Sequence, residues 1–368
     1  MGTPRMLEDL ETPVVLVDED TLEHNLRAMA ERLAARGLAL CPHTKTHKSP
    51  VLAQRQMAWG AARVMAAKLS EAEALLDYGI RDQFIGYPLV GAAKAEHLAR
   101  LVQAGLLPAV AVDSKAGVDL LSAVARRLDV PIAALVEVDT GFHRCGLSQE
   151  ADIVALARYI QRSPVAYQGI TCFGGHISWR QPVKDIPGLV RAEDEMLDRI
   201  AAALARADLA PTVISEGGTV IAGYLQELRT ATELRPGIYV FNDVGTVMAG
   251  AARYDDCAAR VLTTVVSTPA ADRAVVDAGS KTLAGDGPIA GSYGYVAERP
   301  DLAVVQLTEE HGVVVRREGG AVGLSLGQRL TIIPNHVCTM INLHETVQLV
   351  RGSVVTGQLP IVMRGAVR

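Results

Sequence analysis

The sequence predicts an α/β chain: a (β/α)8 TIM-type barrel followed by an all-β domain. Three observations carry this. Short apolar runs alternate with alanine- and leucine-rich stretches of helical period about eight times over about 230 residues. No glycine-rich dinucleotide turn follows the first run, which argues against an open nucleotide-binding sheet. From about residue 250 the texture changes to valine-rich strands and turns without long helical windows. The expected boundaries are 13–248 for the barrel and 249–368, joined by residues 1–12, for the β domain. A chain of 368 residues exceeds what one core usually holds, so two domains are physically reasonable.

The elements follow in order. PVVLVD is the first expected strand and TLEHNLRAMAERLAARG its helix; LALCPH leads to SPVLAQRQMAW, and ARVMAA to LSEAEALLDYG. DQFIGYP precedes GAAKAEHLARLVQAG, PAVAVD precedes SKAGVDLLSAVARRL, and PIAALVEVD precedes EADIVALARYIQR. YQGITCFG is followed by a long helix around EDEMLDRIAAALARA, PTVIS by the turn EGGT, and GIYVF closes the series near residue 241. Beyond it, ARVLTTVVST, RAVVDAGSKT, GVVVRRE and QRLTIIPNHVC read as strands of the second domain.

Composition narrows the function. Apolar residues make up 49% and charged residues 21%, and a net charge of -5 offers no basic patch for nucleic acid. Five scattered cysteines and the absence of a cleavable leader in MGTPRMLEDLETP point to the reducing cytoplasm rather than a disulfide framework. No window reaches the roughly 18 uninterrupted apolar residues of a membrane span. A small-molecule partner is therefore expected.

Barrels of this kind place their chemistry at the C-terminal ends of the strands, and four polar clusters fall there. In PHTKTHK, Lys45 directly follows LALC. It is either a surface cation or, with a lowered pKa, the amine that forms a Schiff base with a carbonyl cofactor. In VEVDTGFHRCG, Arg144 either pairs with Asp139 or donates to a cofactor oxygen. SEGGT, from Ser215 through Gly217 and Gly218 to Thr219, offers backbone N–H groups suited to a phosphate. ELRPGIYVFND supplies Gly237, Tyr239 and Asp243 near the last strand ends, where barrels often bind phosphate.

Together these segments resemble the pyridoxal-phosphate enzymes with an alanine-racemase-like barrel, the third fold type of that cofactor class. DTGFHRCG is similar to the racemase DTGxxRxG pattern and RPGIY to its RPGI. PHTKTHK is more specific, resembling the PHxKxHK motif of D-serine dehydratases and D-threonine aldolases. The likeness runs from DLETPVVLVD to the PNHVC region. It implies that Lys45 joins the cofactor's aldehyde, that Arg144 lies near its ring, and that Gly217, Gly218 and Thr219 help hold its phosphate. Arg235 falls where alanine racemases place the arginine that contacts the pyridine nitrogen. His43 and His47 flank the lysine and either touch the cofactor or satisfy the loop.

A fifth cluster, IIPNHVCTMINLHE, lies in the β domain. If NHVC is extended, His336 and Cys338 point to one face, where imidazole and thiolate can meet one ion. The bland alternative is a buried cysteine beside a structural histidine. The resemblance implies a metal site in this segment, with His-x-Cys typical of the dehydratases and His-x-Asp of the aldolases. A thiolate favours zinc first, with manganese as the other candidate. GGHISW places His176 at a strand end, resembling a Gly-His element of the dehydratase group, although Cys172 or Phe173 stands where that group has a tyrosine. His311 in EEHG is either an acid or base or a turn residue. Asp277 and Lys281 are expected to form a structural pair.

The resemblance implies a metal-dependent lyase acting on β-hydroxy-D-amino acids. Cys338 selects D-serine dehydratase-type elimination to a keto acid and ammonia first, with Lys45 removing the α-proton. D-threonine aldolase-type cleavage to glycine and an aldehyde is the alternative. A racemase and a non-catalytic pyridoxal-phosphate carrier remain as rival readings. A homodimer is also implied.

Overall fold

The computed structural model describes residues 5–368, so the first four residues of the expected β-domain segment lie outside the described residues. The strands, in chain order, begin with β1 (Val14–Asp18), β2 (Ala39–Leu40), β3 (Val64–Ala66), β4 (Asp82–Ile85) and β5 (Leu107–Val112). They continue with β6 (Ile132–Val138), β7 (Val165–Phe173), β8 (Val213–Gly217) and β9 (Glu233–Arg235). Then come β10 (Ala259–Ala270), β11 (Arg273–Val276), β12 (Gly294–Val296), β13 (Leu302–Leu307) and β14 (Gly312–Arg316). The series ends with β15 (Arg329–Pro334), β16 (Thr346–Arg351) and β17 (Val354–Pro360). The chain divides into two compact units: residues 28–45, 50–237 and 365–368 in one, and residues up to 27, 46–49 and 238–364 in the other. This division differs from the expected one at 13 and 248.

The first unit is the barrel. Its eight strands are parallel, in the order β2-β9-β8-β7-β6-β5-β4-β3. The ring closes just past β2: the His43 segment bridges in parallel to Met65, with Met65 N–H donating to Pro42 O and Thr44 N–H to Met65 O, each at 2.9 Å. Inside lies a small apolar cluster of Cys41, Met65, Phe84, Ala109, Ala111 and Leu135. Helices follow the strands on the outside. In Lys115–Leu128, for example, Ser114 accepts from Gly117 N–H and caps the first turn.

The second unit is strand-rich, with one path ordered β13-β14-β11-β10-β1-β16-β17 and a branch from β10 through β15 to β12. Asp277 is its interior fastener. One oxygen accepts from Thr263 Oγ1 at 2.5 Å and Thr264 N at 2.9 Å, and the other from Thr12 Oγ1 at 2.6 Å. The expected Asp277–Lys281 pair does not form, because Lys281 reaches Glu310 at 2.7 Å instead.

Two expected barrel strands are placed elsewhere. PVVLVD forms β1, antiparallel to β10 and parallel to β16. GIYVF makes only a single 3-10 turn, Ile238–Val240. The eighth barrel strand is β9, built on ELR. An apolar run buried on both faces looks the same in a parallel ring and in a mixed sheet. ELR has no apolar signature, because its Glu233 is buried against a cation. Among the described residues no helix is long and apolar enough to cross a membrane.

Candidate active site

The PHTKTHK loop folds by one device used twice. Lys45 N–H donates to His43 Nδ1 at 3.4 Å and Ser49 N–H to His47 Nδ1 at 3.1 Å, so each histidine satisfies the amide two residues ahead. Both rings are buried, and Lys45 is the first half-buried residue past the ring closure. Its Nζ stands 5.4 Å from the centroid of Phe173. The Arg144 guanidinium lies 4.7 Å from the same ring and 5.3 Å from Phe142, and the two rings meet edge to face. Phe173 is thus the shared surface for both cations, each contact contributing about 0.5–1 kcal/mol where water reaches it.

Asp139 does not hold Arg144. One of its oxygens accepts from Gly141 N at 3.0 Å and His143 N at 2.9 Å, and the other meets His143 Nδ1 at 3.0 Å. Burial pushes the Asp139 carboxyl up, but these hydrogen bonds outweigh it and hold the group below the usual range. The aspartate shapes the loop, and Arg144 is left over the aromatic pair. His176 joins the same loop. Its ring packs where a Cβ on Gly141 would sit, 3.6 Å away, and its Nδ1 is buried without a partner.

A ladder of charge runs through the barrel interior. Arg63 grips Glu233 with Nε at 2.8 Å and Nη2 at 2.9 Å. Ser215 Oγ donates to Glu233 and accepts from Arg235 Nη1 at 2.7 Å. Arg235 Nη2 donates to Cys172 O, while its buried Nε has no partner. Ser215 is expected among the cofactor contacts; its hydroxyl stands between Glu233 and Arg235 inside the barrel, orienting Arg235. Removing Glu233 would strand the buried Arg63 guanidinium. Glu233→Ala is expected to lower unfolding stability by about 3–5 kcal/mol, read from the urea midpoint. An unchanged midpoint would show that the pair is solvated.

Beyond Ser215, Gly217 and Gly218 have no room for or tolerance of side chains. A Cβ on Gly217 would stand 2.7 Å from Arg235 Nη2, and Gly218 has φ +127°. Thr219 Oγ1 accepts from Gly237 N–H at 3.2 Å, tying the two expected phosphate loops together. Tyr239 is buried in the turn Ile238–Val240. An aldehyde cofactor with an anionic tail fits these groups. There is an amine at Lys45, a buried arginine donor still lacking an acceptor, and a glycine pair that lets backbone approach closely.

In the strand-rich unit the PNHVC segment is not extended, contrary to expectation. His336 is the N-cap of the short helix Val337–Ile341, and Cys338 sits in its first turn. The helix forms there because Asp243 Oδ2 accepts from Val337 N–H at 3.1 Å. The two side chains still meet. Burial pulls the His336 imidazole down, but its hydrogen bond to Cys338 and the charges of Cys338, Asp243 and Asp286 outweigh that, holding it at about 9. So anionic a pocket suits a cation. His336 Nδ1 lies 3.1 Å from Asp286 Oδ2, and Thr339 Oγ1 donates to that same oxygen. This carboxylate orients the ring through Nδ1, so Nε2 is the nitrogen that would meet an ion. Thr46 Oγ1 lies 3.2 Å from Cys338 Sγ. Among the described residues no group of three or more His, Cys, Asp or Glu is arranged around one point. An imidazole and a cysteine sulfur beside two carboxylates nonetheless fit a divalent ion completed by water.

His311 is exposed in the β13–β14 turn, where its carbonyl accepts from Thr308 N–H at 2.9 Å. Arg63, Glu233 and Asp286 are not singled out by the sequence, which marks Phe173 only as standing, with Cys172, where a tyrosine is expected. The only signal for the charged three was their position in otherwise apolar or glycine-rich stretches.

A barrel with a lysine at its mouth, a ring-stacked arginine and a glycine cradle defines an aldehyde-cofactor enzyme. The alanine racemase N-terminal domain model matches residues 17–244, and a serine dehydratase domain model matches residues 258–350. The chain is 34% identical to D-threonine aldolase of Arthrobacter sp., covering 98% of this chain and 94% of that one. It superposes on D-threonine aldolase from Filomicrobium marinum with a TM-score of 0.90 at 29% identity, covering 100% of both chains. Against D-threo-3-hydroxyaspartate dehydratase from Delftia sp. HT23 the TM-score is 0.88 at 28% identity, covering 96% of this chain and 98% of that one. A cysteine-to-alanine variant of a D-threo-3-hydroxyaspartate dehydratase was solved in a metal-free form. The chain belongs to the D-serine dehydratase and D-threonine aldolase family of pyridoxal-phosphate lyases with an alanine-racemase-like barrel.

Proposed function

We propose that this chain is a pyridoxal-phosphate- and divalent-metal-dependent lyase that removes the β-hydroxyl of a β-hydroxy-D-amino acid, giving a keto acid and ammonia. The observation that carries the reading is where Thr46 stands. Thr46, whose hydroxyl lies 3.2 Å from Cys338 Sγ, follows Lys45 by one peptide bond. The residue that follows the proposed base thus touches the proposed metal ligand.

Bound pyridoxal phosphate supplies an electron sink for the bonds at the substrate's Cα, and a bound divalent ion a Lewis acid for its β-oxygen. The rest falls to the chain. Lys45 in its neutral form takes the α-proton. Phe173 holds that amine and Arg144 over one apolar face, and Arg235, fixed by Ser215 and Glu233, keeps a positive charge at the barrel centre. His336 and Cys338 would hold the ion, with Asp286 setting the imidazole. Zinc comes ahead of manganese because of the thiolate. The reading includes a homodimer, as the family resemblance implies, in the cytoplasm, as the scattered cysteines suggest.

A second reading, aldolase-type cleavage to glycine and an aldehyde, is favoured by the name of the Arthrobacter relative. Incubation with D-serine, D-threonine and 3-hydroxy-D-aspartate, with zinc or manganese supplied, decides between them. Keto acid and ammonia are expected. Glycine would establish the aldolase, and no turnover of any of the three would sink both.

A further inference from the structure

Behind the cofactor pocket lies a pair of acids to which the reaction gives no role. Along β8, Ser215 and Gly217 turn toward Arg235, so Glu216 between them turns to the helix Ile186–Arg206 and its Glu193. Glu216 is 0% and Glu193 4% exposed. No donor reaches either Glu216 oxygen. Glu193 Oε2 accepts from Thr140 Oγ1 at 2.5 Å, and its Oε1 lies 3.9 Å from Cys172 Sγ. A Cβ on Gly174 would stand 2.6 Å from that Oε1. The other charges facing Glu216 are Asp194 from the same helix and Arg235 from β9.

Two facing buried carboxylates repel too strongly for both to ionise, and as ionised groups neither has a proton to donate. One proton between them repairs this: Glu216 O–H donates to Glu193, whose other oxygen still accepts from Thr140. We propose that Glu193 and Glu216 share a single proton and act as a positioning pair, fastening together the Thr140 loop that carries Arg144, the strand end that carries Phe173, and the Gly217 cradle. Burial first, then the charge of Glu193, pushes the Glu216 carboxyl well above the usual range, which agrees with a retained proton.

The sign of the pH effect follows. The unfolded carboxyl releases its proton near about pH 4.3, while the folded pair keeps it. The folded chain therefore binds more protons above that pH, and stability falls as pH rises through the folded pKa. Glu216→Gln keeps a donor that cannot titrate; Glu216→Leu keeps none.

The thermal midpoints of wild type and Glu216→Gln, followed from about pH 5 to about pH 9, are expected to diverge. The wild type should fall more steeply. Parallel curves would overturn the shared proton. Glu216→Leu is expected to lose about tenfold in kcat and to release cofactor faster, read as decay of its absorbance, while Glu216→Gln retains both near neutral pH. Wild-type kcat and cofactor release in Glu216→Leu would overturn the positioning role. That second part rests on the lyase reading, whereas the midpoints need neither substrate nor cofactor. Diverging midpoints without lyase turnover would thus uphold the shared proton and sink the reaction instead.

Discussion

Lys45→Ala is expected to abolish the cofactor absorbance near about 420 nm and to cut kcat/KM by about 10⁴-fold or more, since a covalent anchor and a proton carrier are lost together. The fold should survive. The lysine is half-buried, its Nζ contact is with the face of Phe173 at 5.4 Å, and the His43 bond that shapes the loop uses the backbone of residue 45 rather than its side chain. The check is dialysis followed by an absorbance scan. A variant that stays yellow would show that another group holds the aldehyde.

Cys338→Ala and His336→Ala are each expected to remove bound metal and to lower kcat by about 10²-fold or more, in keeping with the several kcal/mol a Lewis acid supplies, while leaving the cofactor absorbance in place. Metal content by elemental analysis, measured with activity before and after a chelator, reads both effects. Asp286→Asn should act more mildly, weakening metal affinity by about 10- to 100-fold, because it touches the imidazole rather than the ion. Full activity in the Cys338 variant after chelation would end the metal assignment.

Much of this was readable from residue order. The lysine loop, the DTGFHRCG arginine and the double glycine stand at strand ends, and a barrel puts strand ends at its mouth whatever the exact register. What could not be read depends on pairing at long range. β1 and β9 exchange places relative to the apolar pattern because hydrophobicity reports burial, not which neighbour does the burying. Ser215 looks like a phosphate contact until Glu233 and Arg235, 18 and 20 residues on, claim its hydroxyl from both sides. Asp286, 50 residues before His336, has no spacing signature. The His-x-Cys pair was legible as two donors, but its extended geometry was not, since the helix that replaces it is nucleated by Asp243, 94 residues upstream of Val337.

The threading of β1 also has a bearing on biosynthesis. Leu16 pairs with Gln348, so this strand is made long before that neighbour. At about 5–20 residues per second the ribosome delivers that neighbour only after tens of seconds. Throughout that wait an apolar ribbon with open backbone edges is available to any passing chain. Overproduction at lower temperature or with a holding chaperone should therefore raise the soluble yield more than it would for a protein whose first strand finds its mate within the next hairpin.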